Sequence, residues 1–197
     1  MYLFVRGRKE LAEKKNLLLE IETKRLVLRK INSTDAPFLY EYWSDKEVAK
    51  YMNIVPFERI SQAEEMIEFL NSLAEQEQAF RWSIIRKSNH QILGTCGFNN
   101  WDKDNQSAEI GYELGKPHWR QGFMTEALIE LISHGYKNMN LNRIQARVEP
   151  MNMASRKVLK KLGFQEDGLL SEYEQAKDKF IDLILYSILK SDIGNNI

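Results

Sequence analysis

Three segments between Phe80 and Leu114 limit what this chain can fold into more than any other feature. FRWSIIRK, ILGTCGFNNWD and SAEIGYEL have strand character, and only SNHQ and KDNQ separate them. Connections this short join neighbouring strands antiparallel, because a parallel return needs about a dozen residues or more. The three therefore form a meander. HWRQGFMTEALIELISHGYK follows at once, with Met124, Leu128, Leu131, Ile132, Tyr136 and Met139 at helical period. RIQARVEP then reads as a strand. NMASRKVLKKLG reads as a helix with Val158, Leu159 and Leu162 inward and Gly163 as its stop. FQEDGLLSEYEQA and FIDLILYSILK, with KDK between them, read as a closing hairpin.

Ahead of the meander, RLVLRKI alternates apolar and charged residues as a half-buried strand does. Ser33, Thr34 and Asp35 are N-cap candidates for a helix through NSTDAPFLYEYW. Ser61 with Glu64 reads as the capping box of a helix that places Met66, Ile67, Leu70 and Leu73 on one face. The intervening stretch 44–60, with Tyr51, Pro56 and Phe57, is a candidate substrate loop. Residues 1–20 read as a short helical extension of unknown role, and 21–191 as a single domain. These elements predict an α/β layer fold around a mixed, mostly antiparallel sheet.

Charge narrows the partners. Lysine plus arginine equal aspartate plus glutamate, 28 to 28, which gives no electrostatic ground for nucleic acid. Residues 41–79 are acidic and 116–161 basic. Two solvated helix faces account for that, and so does a cationic substrate opposite an anionic ligand. No apolar run nears the roughly 18 residues of a membrane span, and MYLFVRGRKELAEKK lacks the apolar core of a secretory signal. One cysteine, Cys96, permits no internal disulfide. The reading is a cytoplasmic protein that meets neither membrane nor nucleic acid. His90, His118 and His134 have no ligand-like spacing, so no metal is expected. Trp43, Trp82 and Trp101 suit a core better than a substrate channel.

Gly122 raises the functional question. Glycine weakens a helix start, yet a helix N-terminus with a bare backbone is an anion site. The N–H groups of Gln121, Gly122, Phe123, Met124 and Thr125 would supply it. Neither the G-x-G-x-x-G nor the G-x-x-x-x-G-K-[ST] phosphate motif occurs.

IGYELGKPHWRQGFMTEAL resembles the acyl-CoA-binding segment of the GNAT acetyltransferases, and NMASRKVLKKLGF resembles their later asparagine-containing helix. The resemblance spans residues 21–190 and is nearest to the subgroup that acetylates N-terminal amines of ribosomal proteins. It implies the GNAT fold, with about seven strands splayed where 107–114 meets 143–148, and acetyl-CoA as co-substrate. The family loop often reads Gln/Arg-x-x-Gly-x-Gly/Ala, and here Trp119, Gly122 and Met124 stand at its three defining positions. The resemblance implies that Ile110, Gly111 and Tyr112 hold pantetheine and polarise the thioester through backbone N–H groups, with Gly111 at a bulge. Asn152 is implied as a ligand of pantetheine or pyrophosphate, or as an N-cap. Arg156, Lys157 and Lys160 are implied for the 3′-phosphate. Ser155 is implied as the acid that protonates the leaving thiolate, and Glu174 as the base.

Glu172, two residues earlier and on the same face of a regular strand, competes for the role of base. Tyr173 and Tyr186 lie off the Asn152 helix, where family tyrosine acids sit. Cys96 in its strand favours direct attack in a ternary complex over an acetyl-cysteine intermediate. The acceptor amine stays open between a protein N-terminus and a polyamine or aminoglycoside. A non-catalytic acyl-CoA-binding protein and a nucleotide-binding module are the readings from other classes, and a homodimer is compatible with all of them.

Overall fold

The computed structural model describes residues 17–193. Most of the helix expected over 1–20 lies outside the described residues. Among the described residues eight strands, one more than expected, form one sheet in the order β1-β2-β3-β4-β5-β6-β8-β7. They are β1 (Ile21–Glu22), β2 (Leu26–Lys30), β3 (Phe80–Arg86), β4 (Ile92–Asp102), β5 (Ser107–Leu114), β6 (Arg143–Val148), β7 (Gln165–Ala176) and β8 (Lys179–Leu189). The extra strand is the two-residue β1, too short to carry a period. All pairs are antiparallel except β5 with β6. The helices are α1 (Ala36–Trp43), α2 (Lys46–Ala49), α3 (Ile60–Glu75), α4 (Phe123–Asn138), α5 (Met153–Lys161) and the last turn α6 (Lys190–Ile193).

Apolar periodicity decides which face each helix covers. On α4, Met124, Leu128, Leu131, Ile132 and Tyr136 are buried against Trp82, Phe98 and Ile110 of the sheet. On the opposite face, Leu39, Tyr42 and Trp43 of α1 pack with Ile67 of α3 over Ile31 and Ile92. This second layer joins contacts from the β2 to β4 side of the sheet and leaves a groove over β5 to β8.

Two helix starts differ in detail from the sequence reading. Asp35, one of the three candidates, is the N-cap residue of α1 but makes no capping bond there, and Asn32 caps the 3-10 turn Ser33–Asp35 ahead of it by accepting from Thr34 N–H at 2.9 Å. The helix expected to start at Ser61 begins at Ile60, and Gln62, not Glu64, reaches back to the N–H groups of Glu58 and Arg59. Asp35 is buried in a ring of donors: Arg29 at 2.6 Å, Ser83 Oγ at 2.6 Å and Asn32 N–H at 3.0 Å. Asp35→Ala strands that buried arrangement, so we expect a loss of about 3 kcal/mol in urea unfolding. Ser83→Ala, which removes one neutral donor, should cost about 1 kcal/mol.

Candidate active site

The β5–β6 pair sets the site. The two strands pair in parallel only at Ser107/Arg143, Ala108/Ile144 and Glu109/Gln145, and then diverge. Ladder phase fixes what faces the gap. Gly115 N–H donates to Leu93 C=O at 2.8 Å across the β4–β5 edge. In an antiparallel ladder such bonds recur at every second pair, so Gly97/Gly111 and Thr95/Glu113 are the bonding pairs. The Tyr112 N–H and the C=O groups of Ile110 and Tyr112 therefore turn from β4 towards the gap. Gly111 keeps its N–H in the ladder.

Gly111 is not at a bulge. Its pairing with Gly97 is regular, and the irregularity lies between Asn99 and Asp102. What Gly111 permits is close approach: a Cβ there would stand 2.7 Å from Asn99 Nδ2 and 3.3 Å from the Arg81 guanidinium.

The expected anion loop feeds α4 beside this gap. Gly122 has φ +77°, and a Cβ on it would meet only Arg25 Nη2, at 3.6 Å. Backbone conformation, not crowding by protein, requires glycine there. Arg25 donates to Gln121 C=O at 3.1 Å and pairs with Glu126 at 2.6 Å, which ties the loop to β2. Phe123 is buried between the Arg25 and Arg86 guanidinium groups, 4.4 and 4.9 Å from its ring centre. Met124 is buried in the core, so its side chain does not crowd the helix N-terminus. Thr125 follows within the first turn of α4.

The α5 helix supplies the other expected residues. Asn152 caps it by accepting from Ser155 N–H at 3.1 Å. Ser155 Oγ lies 2.7 Å from Tyr112 Oη, a tyrosine whose side chain the sequence reading left without a role. Burial pushes the Tyr112 hydroxyl up to about 12, so it stays protonated at neutral pH. Arg156 and Lys160 both turn to Glu166 on β7, at 3.8 Å, and Arg156 Nε also donates to Tyr186 Oη. Lys157 is exposed.

On the opposite face of β5 and β6, a groove of about 460 Å³ is lined in part by Glu109, Gln145, Arg147, Leu170 and Tyr173. Arg147 bonds Glu109 at 2.5 Å, lies 3.8 Å from Glu174 and sits over the Tyr173 ring. Glu174 also accepts from Asn53 Nδ2 at 2.8 Å, which joins it to the 44–60 loop. Lys177 Nζ, donating to Ala49 and Lys50 C=O, and Tyr51 Oη, donating to Met151 C=O, fasten the same loop.

Glu172 does not share the Glu174 environment. Leu170 pairs with Leu183 and Glu174 with Ile181, so β7 carries two residues more than its partner there. Alternation breaks, and Glu172 is exposed with φ +48°. Glu109 and Arg147 escaped the sequence reading. Both sit at ordinary outward strand positions, and only the parallel pairing brings them together.

Tyr173 is exposed and Tyr186 buried. Trp43 and Trp82 are buried, and Trp101 packs on Phe80. Cys96 is fully buried, which pushes its thiol up to about 12. It should stay unmodified by an aromatic disulfide reagent in the native protein and react at once in denaturant.

Residues 25–165 match the acetyltransferase (GNAT) domain family. The chain belongs to that family and is an N-acetyltransferase related to ribosomal-protein acetyltransferases. It is 52% identical over 170 residues to the uncharacterized N-acetyltransferase p20 of Bacillus licheniformis, covering 86% of this chain and 96% of that protein. The ribosomal protein uS5-alanine N-acetyltransferase of Escherichia coli is 24% identical over 183 residues, covering 88% of this chain and 92% of that one. Among solved structures, the microcin C7 self-immunity acetyltransferase MccE, in complex with acetyl-CoA and AMP, superposes with a TM-score of 0.77 at 26% identity, covering 84% of this chain and 93% of that one.

Proposed function

We propose that this enzyme moves the acetyl group of acetyl-CoA to the N-terminal amine of a protein by direct attack in a ternary complex. The observation that carries the reading is the open edge of β5 past Glu109. It presents Tyr112 N–H and Ile110 C=O between the α4 N-terminus and Ser155. Pantetheine would pair with that edge, and the pyrophosphate would take the N–H groups at 121–125. Two supports come from relatives, the acetyl-CoA in the MccE complex and the protein acceptor of the uS5-alanine enzyme.

The chemistry follows from those positions. The thioester carbonyl would lie on Tyr112 N–H, a donor placed where negative charge develops. Glu174, reached from the groove, would take the ammonium proton directly or through water, and the neutral amine attacks the carbonyl carbon. Collapse of the tetrahedral intermediate breaks the C–S bond, Ser155 Oγ–H gives the thiolate its proton, and the second proton shed by the new amide nitrogen would return to Ser155 Oγ through water. Asn152 would hold pantetheine through its amide while its Oδ1 caps α5. The buried thiol of Cys96 suits a cytoplasmic setting and offers no acyl-enzyme route.

A panel of peptides with free N-termini, polyamines and aminoglycosides, read by thiol release from acetyl-CoA, tests the proposal. Turnover on peptides is the expected result. Turnover on small amines alone would overturn the protein acceptor. CoA binding without turnover on any of them would point to an amine acceptor of another class.

A further inference from the structure

Three residues line up across the sheet: Arg81 on β3 pairs with Gly97 on β4, which pairs with Gly111 on β5. Two strand glycines in one row leave a trough that a long side chain from β3 can enter. The Arg81 side chain reaches Gly111, where Nη1 donates to the C=O at 3.0 Å and Nη2 donates to Asn99 Oδ1 at 3.0 Å. Glu113 lies 3.9 Å away as counter-ion, itself held by Thr95 Oγ at 2.5 Å and Trp43 Nε1 at 3.2 Å. Arg81 and Glu113 side chains are 13% and 11% exposed, so their charges act with little screening by water.

The Gly111 C=O and the Tyr112 N–H belong to one peptide group. In a trans peptide they point in opposite directions, the carbonyl to β4 and Arg81 and the N–H to the gap. A cation bonded to the carbonyl draws electron density from the nitrogen and makes its N–H a stronger donor. We propose that Arg81 is a positioning residue for acetyl transfer: it fixes and polarises the Gly111–Tyr112 peptide, so that Tyr112 N–H binds the thioester oxygen more strongly as charge grows on it. This rests on the proposed placement of the thioester carbonyl at Tyr112. It explains both glycines at once, since a side chain at either would press on Arg81 or on the strand backbone beside it.

Infrared difference spectra of [1-13C]acetyl-CoA bound to the full chain give the test. Arg81→Met would leave Glu113 buried without its counter-ion, so the comparison is Arg81→Met/Glu113→Gln against Glu113→Gln alone. Arg81→Lys, which keeps a charge beside Glu113, is the second variant. In Glu113→Gln the bound carbonyl stretch should lie below that of free acetyl-CoA. In the double variant it should move back towards the free value, with kcat down about tenfold, and acetyl-CoA affinity should hold within about twofold. Arg81→Lys should fall between. An unmoved stretch in both Arg81 variants, or a loss of affinity without a change in kcat, would overturn the role of Arg81. No lowering of the stretch in the wild type would instead remove the thioester from Tyr112, and the inference with it.

Discussion

Glu174→Gln should lower kcat on the best acceptor by about a hundredfold or more, the scale of a lost general base, in a protein whose circular dichroism is unchanged. The substitution is conservative in geometry. A glutamine carbonyl can still accept from Asn53 Nδ2, and Arg147 keeps Glu109 as its closer partner. What disappears is the ability to take a proton from the acceptor amine. Glu172→Gln should leave the rate within about twofold, because Glu172 faces solvent within the β7 irregularity between Leu170 and Glu174. Near-normal activity in Glu174→Gln with a large loss in Glu109→Gln would transfer the base to the other carboxylate on Arg147.

The second large effect belongs to Gly122. Its φ of +77° lies where a side chain costs about 1 kcal/mol or more, yet a Cβ there meets no protein atom closer than 3.6 Å. Asparagine tolerates that conformation better than other residues. Gly122→Asn should therefore cost under about 1 kcal/mol of stability, while CoA affinity measured by calorimetry falls at least about tenfold, or roughly 1.4 kcal/mol. Gly122→Val should lose both. Undiminished CoA affinity in folded Gly122→Asn would mean that this glycine serves the turn alone, and that the phosphates lie elsewhere.

The sequence carries its local signals plainly and its lateral ones hardly at all. β4 and β5 are legible to the residue, because SNHQ and KDNQ bound strands of clear composition. The face of α4 follows from its period, and with it the burial of Met124. Helix starts are less legible: Gln62, two residues before the expected Glu64, turns back at the start of α3, and Asn32 caps the turn that leads into α1. Of the two irregularities in β7, the one between Leu170 and Glu174 falls on Glu172 with neither glycine nor proline to mark it, so period-two reasoning put Glu172 beside Glu174. Gly111 stood out as a strand glycine, but its reason is an arginine two strands away. Arg147 joins Glu109 and Glu174 over 38 and 27 positions of chain, a meeting that only strand order creates.

The short parallel pairing also bears on how the molecule holds itself together. Three residue pairs are the whole ladder between a five-stranded half and a three-stranded half. Side chains carry the rest: Arg147 pairs with Glu109, the 44–60 loop holds Glu174 and Lys177, and α4, packed on the first half, sends Tyr136 Oη to Ile188 C=O of the second at 2.9 Å. The seam is thus the line of the domain with the least backbone pairing, held mainly by side chains. A molecule lying along it would rivet the halves and stiffen them against each other, adding stability in proportion to the logarithm of its concentration over its dissociation constant. Product departure would return that compliance on every cycle.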